Sequence, residues 1–433
     1  MSTNDDFLVR SIARIRTRLM PFLLLMYVVS FLDRANIGFA KQALQVSTGI
    51  SEAAYAMGAG LFFLTYSLLE IPSNLIMRRV GAKAWMSRIM VTWGLASAAT
   101  MFTRGPASFY SVRLLLGAAE AGFFPGAILY LTYWFPNHAR GKILGLFYFG
   151  APLAFVLGGP VSGTLLDLQR AGLQGWQWMF LIEGLLSIAV GAWAYFYLDD
   201  TPDKARWLPA AEKKALLKQL SQEERERSAL GPSTLLRALR DMQVWHFAAI
   251  YFLVQMSIYG VVFYLPADVA LIFRKPVGLE VGMVSAIPWI CAMAATFWLP
   301  RIGDRHKNHR CLAVFTLPIC GIATIACGAN SPAIAFLALC IAASGFVAVQ
   351  PLFWIFPTGR LASTAAAGGI ALINAFGTLG GFVAPNLKAW ADRRFHSPTA
   401  GLDLLAYVAV LAAVLMAFIE QREPFTFSRI MRS

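Results

Sequence analysis

The sequence predicts an all-α membrane protein of twelve transmembrane helices in two pseudo-symmetric six-helix bundles. Three observations predict it. The chain is 58% apolar and only 14% charged, with a mean hydropathy of +0.59, whereas a soluble domain carries about 25% charged residues. Twelve stretches, centred near residues 29, 65, 93, 120, 153, 187, 255, 290, 320, 345, 375 and 411, reach the roughly 20 mostly apolar residues that a spanning helix needs. A charged segment divides them six and six.

The first stretch carries Asp33 and Arg34 inside it. It is long and has no small-residue cleavage site after it, so it is expected to remain a membrane helix rather than a signal peptide. The second ends in Arg78 and Arg79, with Lys83 and Arg88 leading into the third. The fourth carries Arg113 and Glu120 and ends near Phe135-Pro136. The fifth contains Gly158-Gly159-Pro160 and Gly163, which suit close packing and bending. Gly and Pro are tolerated in such helices because neighbours satisfy the backbone. Residues 199–243 form a charged linker between a bundle of residues 1–198 and one of residues 244–433. The spacing of Glu212, Lys213, Lys214, Lys218, Glu223, Glu224, Arg225, Glu226 and Arg227 predicts a solvated amphipathic helix there. The five cysteines all lie in or beside apolar helices of the second half without CxxC spacing, so neither a zinc site nor a disulfide framework is expected.

The halves resemble one another. Ala118-Ala119-Glu120-Ala121-Gly122-Phe123 in the fourth helix parallels Ala342-Ala343-Ser344-Gly345-Phe346 in the tenth, and both helices stop near a Phe-Pro, at Pro136 and Pro357. Ala154-Phe155 before Gly158-Gly159 parallels Ala375-Phe376 before Gly380-Gly381. All are offset by about one half of the chain, and parallel repeats of this kind put a substrate site at mid-membrane between the halves.

The net charge of +14 would suit nucleic acid, but the basic residues occupy alternate loops. They cluster in the N-terminal tail (Arg10, Arg14, Arg16, Arg18) and after the second, fourth and eighth stretches. They recur at Arg422, Arg429 and Arg432. That is the positive-inside pattern and puts both termini in the cytoplasm. Arg274, Lys275, Arg393 and Arg394 fall on the other side, so the bias is not absolute. No nucleic-acid partner is expected; the bilayer is the partner.

Asp33, Arg34, Arg113 and Glu120 are the candidate working residues. A charge near mid-membrane costs about 2.5–3.5 kcal/mol on insertion scales and marks an ion or substrate pathway by default. Arg113 and Glu120, seven residues apart, lie on nearly one helix face, roughly 10 Å apart along the axis. One cavity is thereby offered a cation and an acid. A guanidinium can hold a carboxylate through two hydrogen bonds. Removal from water favours the neutral acid and a nearby arginine favours the carboxylate, so Glu120 suits proton uptake and release as the cavity changes. The alternative is a structural charge network locking the first and fourth helices, and Arg34 beside Asp33 has the simpler option of neutralising it. Helices 8, 10 and 11 carry no comparable charge, which leaves Gln350 and Asn374 as the hydrogen-bonding candidates, or as packing glue. Glu70 and Glu183 read as structural. No Walker A, HExxH or nucleophile elbow is present, which argues against an ATP-driven pump or a hydrolase. The chain is expected not to be an enzyme and to need no cofactor beyond a coupling proton.

Phe31-Leu32-Asp33-Arg34-Ala35-Asn36-Ile37-Gly38, Glu70-Ile71-Pro72-Ser73-Asn74, Arg113 through Gly126 and Trp178-Met179-Phe180-Leu181-Ile182-Glu183-Gly184 resemble the major facilitator superfamily and, within it, the anion:cation symporter family. Gly145-Leu146-Phe147-Tyr148, Gly150-Ala151-Pro152-Leu153-Ala154, Leu198-Asp199-Asp200-Thr201-Pro202 and Ala348-Val349-Gln350-Pro351 are similar to bacterial L-rhamnonate permeases. The resemblance covers nearly the whole chain. It implies a proton-coupled importer of an organic carboxylate in the bacterial cytoplasmic membrane; the chain is long enough to act as a monomer. Proton coupling would fall to Asp33 and Glu120, and anion binding to Arg34 and Arg113. Tyr66 stands where the family often contacts substrate. Tartrate or an aromatic acid of the hydroxyphenylacetate type remains an alternative cargo; an anion or drug antiporter and a non-transporting sensor are alternative functions. The gating loop of the superfamily reads Gly-x-x-x-Asp-Arg-x-Gly, but here Arg78 takes the acidic position, followed by Arg79 and Gly81. The second half keeps Asp304-Arg305, with Lys307 where glycine is common.

Overall fold

A computed structural model describes residues 3–229, 239–306, 308–360, 366–397 and 399–419. The first six spans are Thr3–Thr48, Glu52–Val80, Ala82–Ala99, Pro106–Glu120 continued by Phe123–Trp134, Asn137–Tyr148 continued by Gly150–Leu166, and Gly175–Tyr197. The second six are Met242–Val262 with Leu265–Phe273, Leu279–His306, His309–Ala326, Pro332–Arg360, Ala366–Thr378 continued by Gly380–Arg394, and Ala400–Ala417. Eleven of these are long and apolar enough to cross a bilayer, and the 18-residue third helix completes the set of twelve. Their outward faces carry exposed Leu95, Leu115, Phe196, Phe315, Ile322 and Tyr407, while Ser30, Asp33, Asn36, Arg113, Glu120 and Glu183 are buried inside. A lipid solvent explains that distribution: apolar surface costs nothing outside, and charge must be housed within.

Local signals set the helix ends. Ser51 Oγ accepts the Ala54 N–H at 3.2 Å and starts the second helix. Gly81, with φ of +100°, makes the sharp turn into the third. The Asp200 carboxylate sits at that turn and accepts the Lys83 N–H at 3.0 Å, tying the end of the sixth helix to it.

The linker departs from the solvated connector expected. Ala210–Ala229 is a helix, but Leu216, Ala215, Glu212 and Glu223 are buried. Arg14 pairs with Glu212 at 3.0 Å, Glu223 accepts the Asn137 N–H at 3.0 Å at the start of the fifth helix, and Trp207 stacks on Trp134 with ring centroids 5.7 Å apart. Arg18 lies 4.8 Å from the Trp207 ring. Its apolar positions share a face, and its acids find a helix N-terminus and an arginine, so the segment docks on the first bundle.

The bundles meet at the ends away from the linker. A Cβ on Gly159 would lie 2.2 Å from the Gly282 carbonyl oxygen, and one on Gly163 would lie 2.6 Å from that of Gly278. The fifth and eighth helices therefore cross backbone to backbone. Asp167 accepts the Leu279 N–H at 2.9 Å, and Phe155 stacks on Trp289 at 4.3 Å. On the other side of the interface Gly381 faces Phe63, and Phe63 packs on Tyr259 at 4.4 Å. Gly159 and Gly381 belong to the matched segments of the sequence repeat, and each makes a close cross-bundle contact.

Candidate transport site

Consecutive helical residues point about 100° apart, so Asp33 and Arg34 diverge. Arg34 turns to the fourth helix. Its Nη2 and Nε donate to Glu120 Oε1 at 2.7 and 2.9 Å, and Ser30 Oγ, one turn back, donates to the same oxygen at 3.0 Å. Its Nη1 donates to Tyr259 Oη of the seventh helix at 3.3 Å, so one guanidinium touches both bundles. The rings of Phe31, Phe62 and Tyr66 surround it at 5.0, 5.4 and 4.9 Å. Arg34 is 9% exposed and Glu120 is 0% exposed.

Glu120 is the last residue of its helical segment, because the fourth span breaks at Ala121–Gly122. Gly122 has φ of +86°, and a Cβ there would lie 2.3 Å from Ser73 Oγ, so only glycine fits. The break sits beside the acid, as irregular backbone in transporters tends to sit beside the binding site.

Asp33 turns to the third helix, where Ser97 Oγ donates to its Oδ1. Asp33 Oδ2 and Glu120 Oε2 are buried with no hydrogen-bond partner among the described residues. Buried polar atoms are normally satisfied, so these two oxygens stand out.

Arg113 is also buried but does not join Glu120. It donates to the Gly58 and Ala59 carbonyls at 3.3 and 3.4 Å, long bonds to the second helix, and lies 5.0 Å from the Phe62 ring that Arg34 also faces. The seven-residue spacing put Arg113 and Glu120 on one face, yet side-chain direction sends them to different neighbours. The adjacency of Asp33 and Arg34 likewise yields no neutralising pair: the ion pair Arg34 makes is with Glu120.

Tyr66 is buried beside Arg34. Gln350 is half-buried on the tenth helix. Asn374 Nδ2 donates to Glu70 Oε1 at 2.7 Å, which supplies Glu70 with the partner its sequence context lacked. Glu183 accepts from Asn36 at 2.6 Å and from Ser162 at 3.4 Å, a polar knot joining the first, fifth and sixth helices. Arg78, Arg79 and Arg305 are exposed at helix ends, and the side chain of Asp304 lies outside those described. Sequence reasoning missed Ser30, Ser97 and Tyr259. Only Ser30 had a local signal, a hydroxyl four residues before Arg34 on the same face.

Two six-helix halves around a buried ion pair define a membrane transporter of the facilitator type. The chain belongs to the Major Facilitator Superfamily, whose profile matches residues 23–385. It is 48% identical over 402 residues to the inner membrane transport protein RhmT of Escherichia coli (strain K12), covering 93% of each chain. It is 39% identical over 426 residues to a protein of Agrobacterium vitis named as a tartrate transporter, covering 97% of this chain and 93% of that one. It is 37% identical over 412 residues to the quinolone resistance transporter of Acinetobacter baumannii, covering 95% of each. The fold is shared with a bacterial homologue of the human lysosomal transporter Spinster, with a TM-score of 0.72 at 16% identity over 93% of this chain and 95% of that one.

Proposed function

We propose that the protein is a proton-coupled symporter that imports an organic carboxylate, a sugar acid such as L-rhamnonate, by alternating access across the bacterial cytoplasmic membrane, as a monomer with both termini in the cytoplasm. The observation that carries the reading is the double hydrogen bond of Arg34 on a single oxygen of Glu120. A proton on Glu120 removes the charge that holds Arg34. The planar guanidinium fork then suits the carboxylate of an incoming acid. Proton and anion thus replace one ion pair by another, and a partner of the opposite bundle, Tyr259, senses the exchange through Nη1. Asp33 is the second proton site, and Arg113 adds positive charge across Phe62. Tyr66, Gln350 and Asn374 offer hydrogen bonds to hydroxyls. The glycine crossings let the bundles rock, with the gating positions Arg78, Arg79, Asp304 and Arg305 at the opposite end.

The sequence resemblance to L-rhamnonate permeases and the 48% identity to RhmT support a sugar acid. The Agrobacterium relative supports tartrate as the next candidate. The test is uptake of labelled L-rhamnonate into proteoliposomes with and without an inward proton gradient. Gradient-dependent accumulation is the expected result. Uptake indifferent to the gradient overturns the coupling, and no uptake moves the substrate to a panel of tartrate, other aldonates and aromatic acids. The quinolone resistance relative favours a second reading, proton-driven export; protons moving opposite to substrate in the same vesicles would establish it.

A further inference from the structure

We infer that Glu70 is a resident stand-in for the substrate: its carboxyl holds the Asn374 amide across the bundle interface, and the arriving acid takes its place. This rests on the reading of Asn374 as a substrate contact. Glu70 is 2% exposed, on the second helix of the first bundle. Its Oε1 accepts from Asn374 Nδ2 of the eleventh helix at 2.7 Å, and its Oε2 is buried without a partner among the described residues. One turn away Ser67 Oγ donates to the Ala375 carbonyl at 2.6 Å, and beyond it Phe63 faces Gly381 and Gly60 faces Phe382. Along this seam Glu70–Asn374 is the last polar link toward the linker end among the described residues.

Mere packing does not call for an acid here, since a buried oxygen left unpaired costs about 1–3 kcal/mol. The Glu70 carboxyl supplies Asn374 with an acceptor, and the hydroxyl oxygens of the proposed substrate offer the amide an acceptor in its place. A symporter must bring its bundles together after unloading, with Asn374 otherwise left unsatisfied in the seam. Glu70 satisfies it in that step. Exchange of one acid molecule for another skips the step and does not need Glu70.

The test compares net efflux with one-for-one exchange in proteoliposomes, using a labelled acid that the unaltered protein exchanges. Glu70→Ala and Glu70→Asp, which withdraws the carboxyl by one methylene, should slow net efflux about tenfold, the factor given by about 1.4 kcal/mol, with exchange little changed. Glu70→Gln keeps an acceptor oxygen and should restore most of the rate. Steady-state accumulation under a proton gradient should stay as it was, because the coupling acids are elsewhere. Net efflux and exchange falling together, neither falling, or Glu70→Gln behaving as Glu70→Ala overturns the inference while the transport reading stands. If the unaltered protein exchanges no acid of the panel, the transport reading fails and this inference with it.

Discussion

Replacing Glu120 by Gln keeps the side chain's shape and one acceptor oxygen but removes its charge and its proton. In the native protein that oxygen takes three hydrogen bonds, two from Arg34 and one from Ser30. Hydrogen bonds to charged groups contribute about 1.5–3 kcal/mol and neutral ones about 1. Leaving a buried charge without its partner costs about 3–5 kcal/mol. Here the amide oxygen still accepts, and three aromatic rings still face the guanidinium, each worth about 0.5–2 kcal/mol. The net loss should be about 2 kcal/mol, enough to lower the unfolding temperature and too little to prevent folding. The effect on transport should be larger. With one proton per monoanion, an inward gradient of about one pH unit supplies about 1.4 kcal/mol and sustains about tenfold accumulation. Glu120→Gln should reduce the inside-to-outside ratio to about one while one-for-one exchange persists. The assay is labelled acid in proteoliposomes at a set pH difference, read at steady state. Accumulation equal to that of the unaltered protein would refute the coupling role, and an unchanged unfolding temperature would refute the energetic weight given to the ion pair.

Arg34→Lys should raise KM for uptake at least about tenfold, since one ammonium cannot reproduce the planar fork that reaches both Glu120 and Tyr259; an unchanged KM would remove Arg34 from the anion site. Gly282→Val should abolish uptake, because a Cβ at Gly282 would lie 2.1 Å from the Gly159 carbonyl oxygen and the two helices could not close. On that background Phe155→Cys, at a position otherwise stacked on Trp289, should react with a membrane-impermeant thiol reagent, and continued protection would show the crossing is not the gate. Trp207→Ala should cost about 2 kcal/mol by removing the Trp134 stack and the Arg18 contact. It should lower the unfolding temperature with KM unchanged, and an unaltered unfolding temperature would mean that linker docking contributes nothing.

The buried charges of the candidate site were legible in the sequence, and little of their pairing was. Asp33, Arg34, Arg113 and Glu120 stood out because charge in a lipid-spanning stretch is costly wherever the helix packs. All four are buried in the structure. Who partners whom was not legible. Arg34 passes over adjacent Asp33 for Glu120, Arg113 turns to the backbone of the second helix, and Ser97 and Tyr259 arrive from remote helices. Glu70 shows the same gap: its partner lies 304 positions away, and no local pattern links them. The linker helix was foreseen as a helix but not as docked, because its buried positions are visible only against the first bundle.

The order of helices, their number, the division into two halves and the identity of the buried charges follow from composition along the chain, because hydropathy and turn chemistry act residue by residue. The glycine repeats also announced close packing, since only glycine lets backbones approach at about 2–3 Å from a would-be Cβ. Which charges meet, which hydroxyls complete their shells and which bundle faces touch were decided by packing. Each helical residue points about 100° from the last, so a side chain's partner depends on which helix lies across from it. That choice is made by the assembled bundles as a whole.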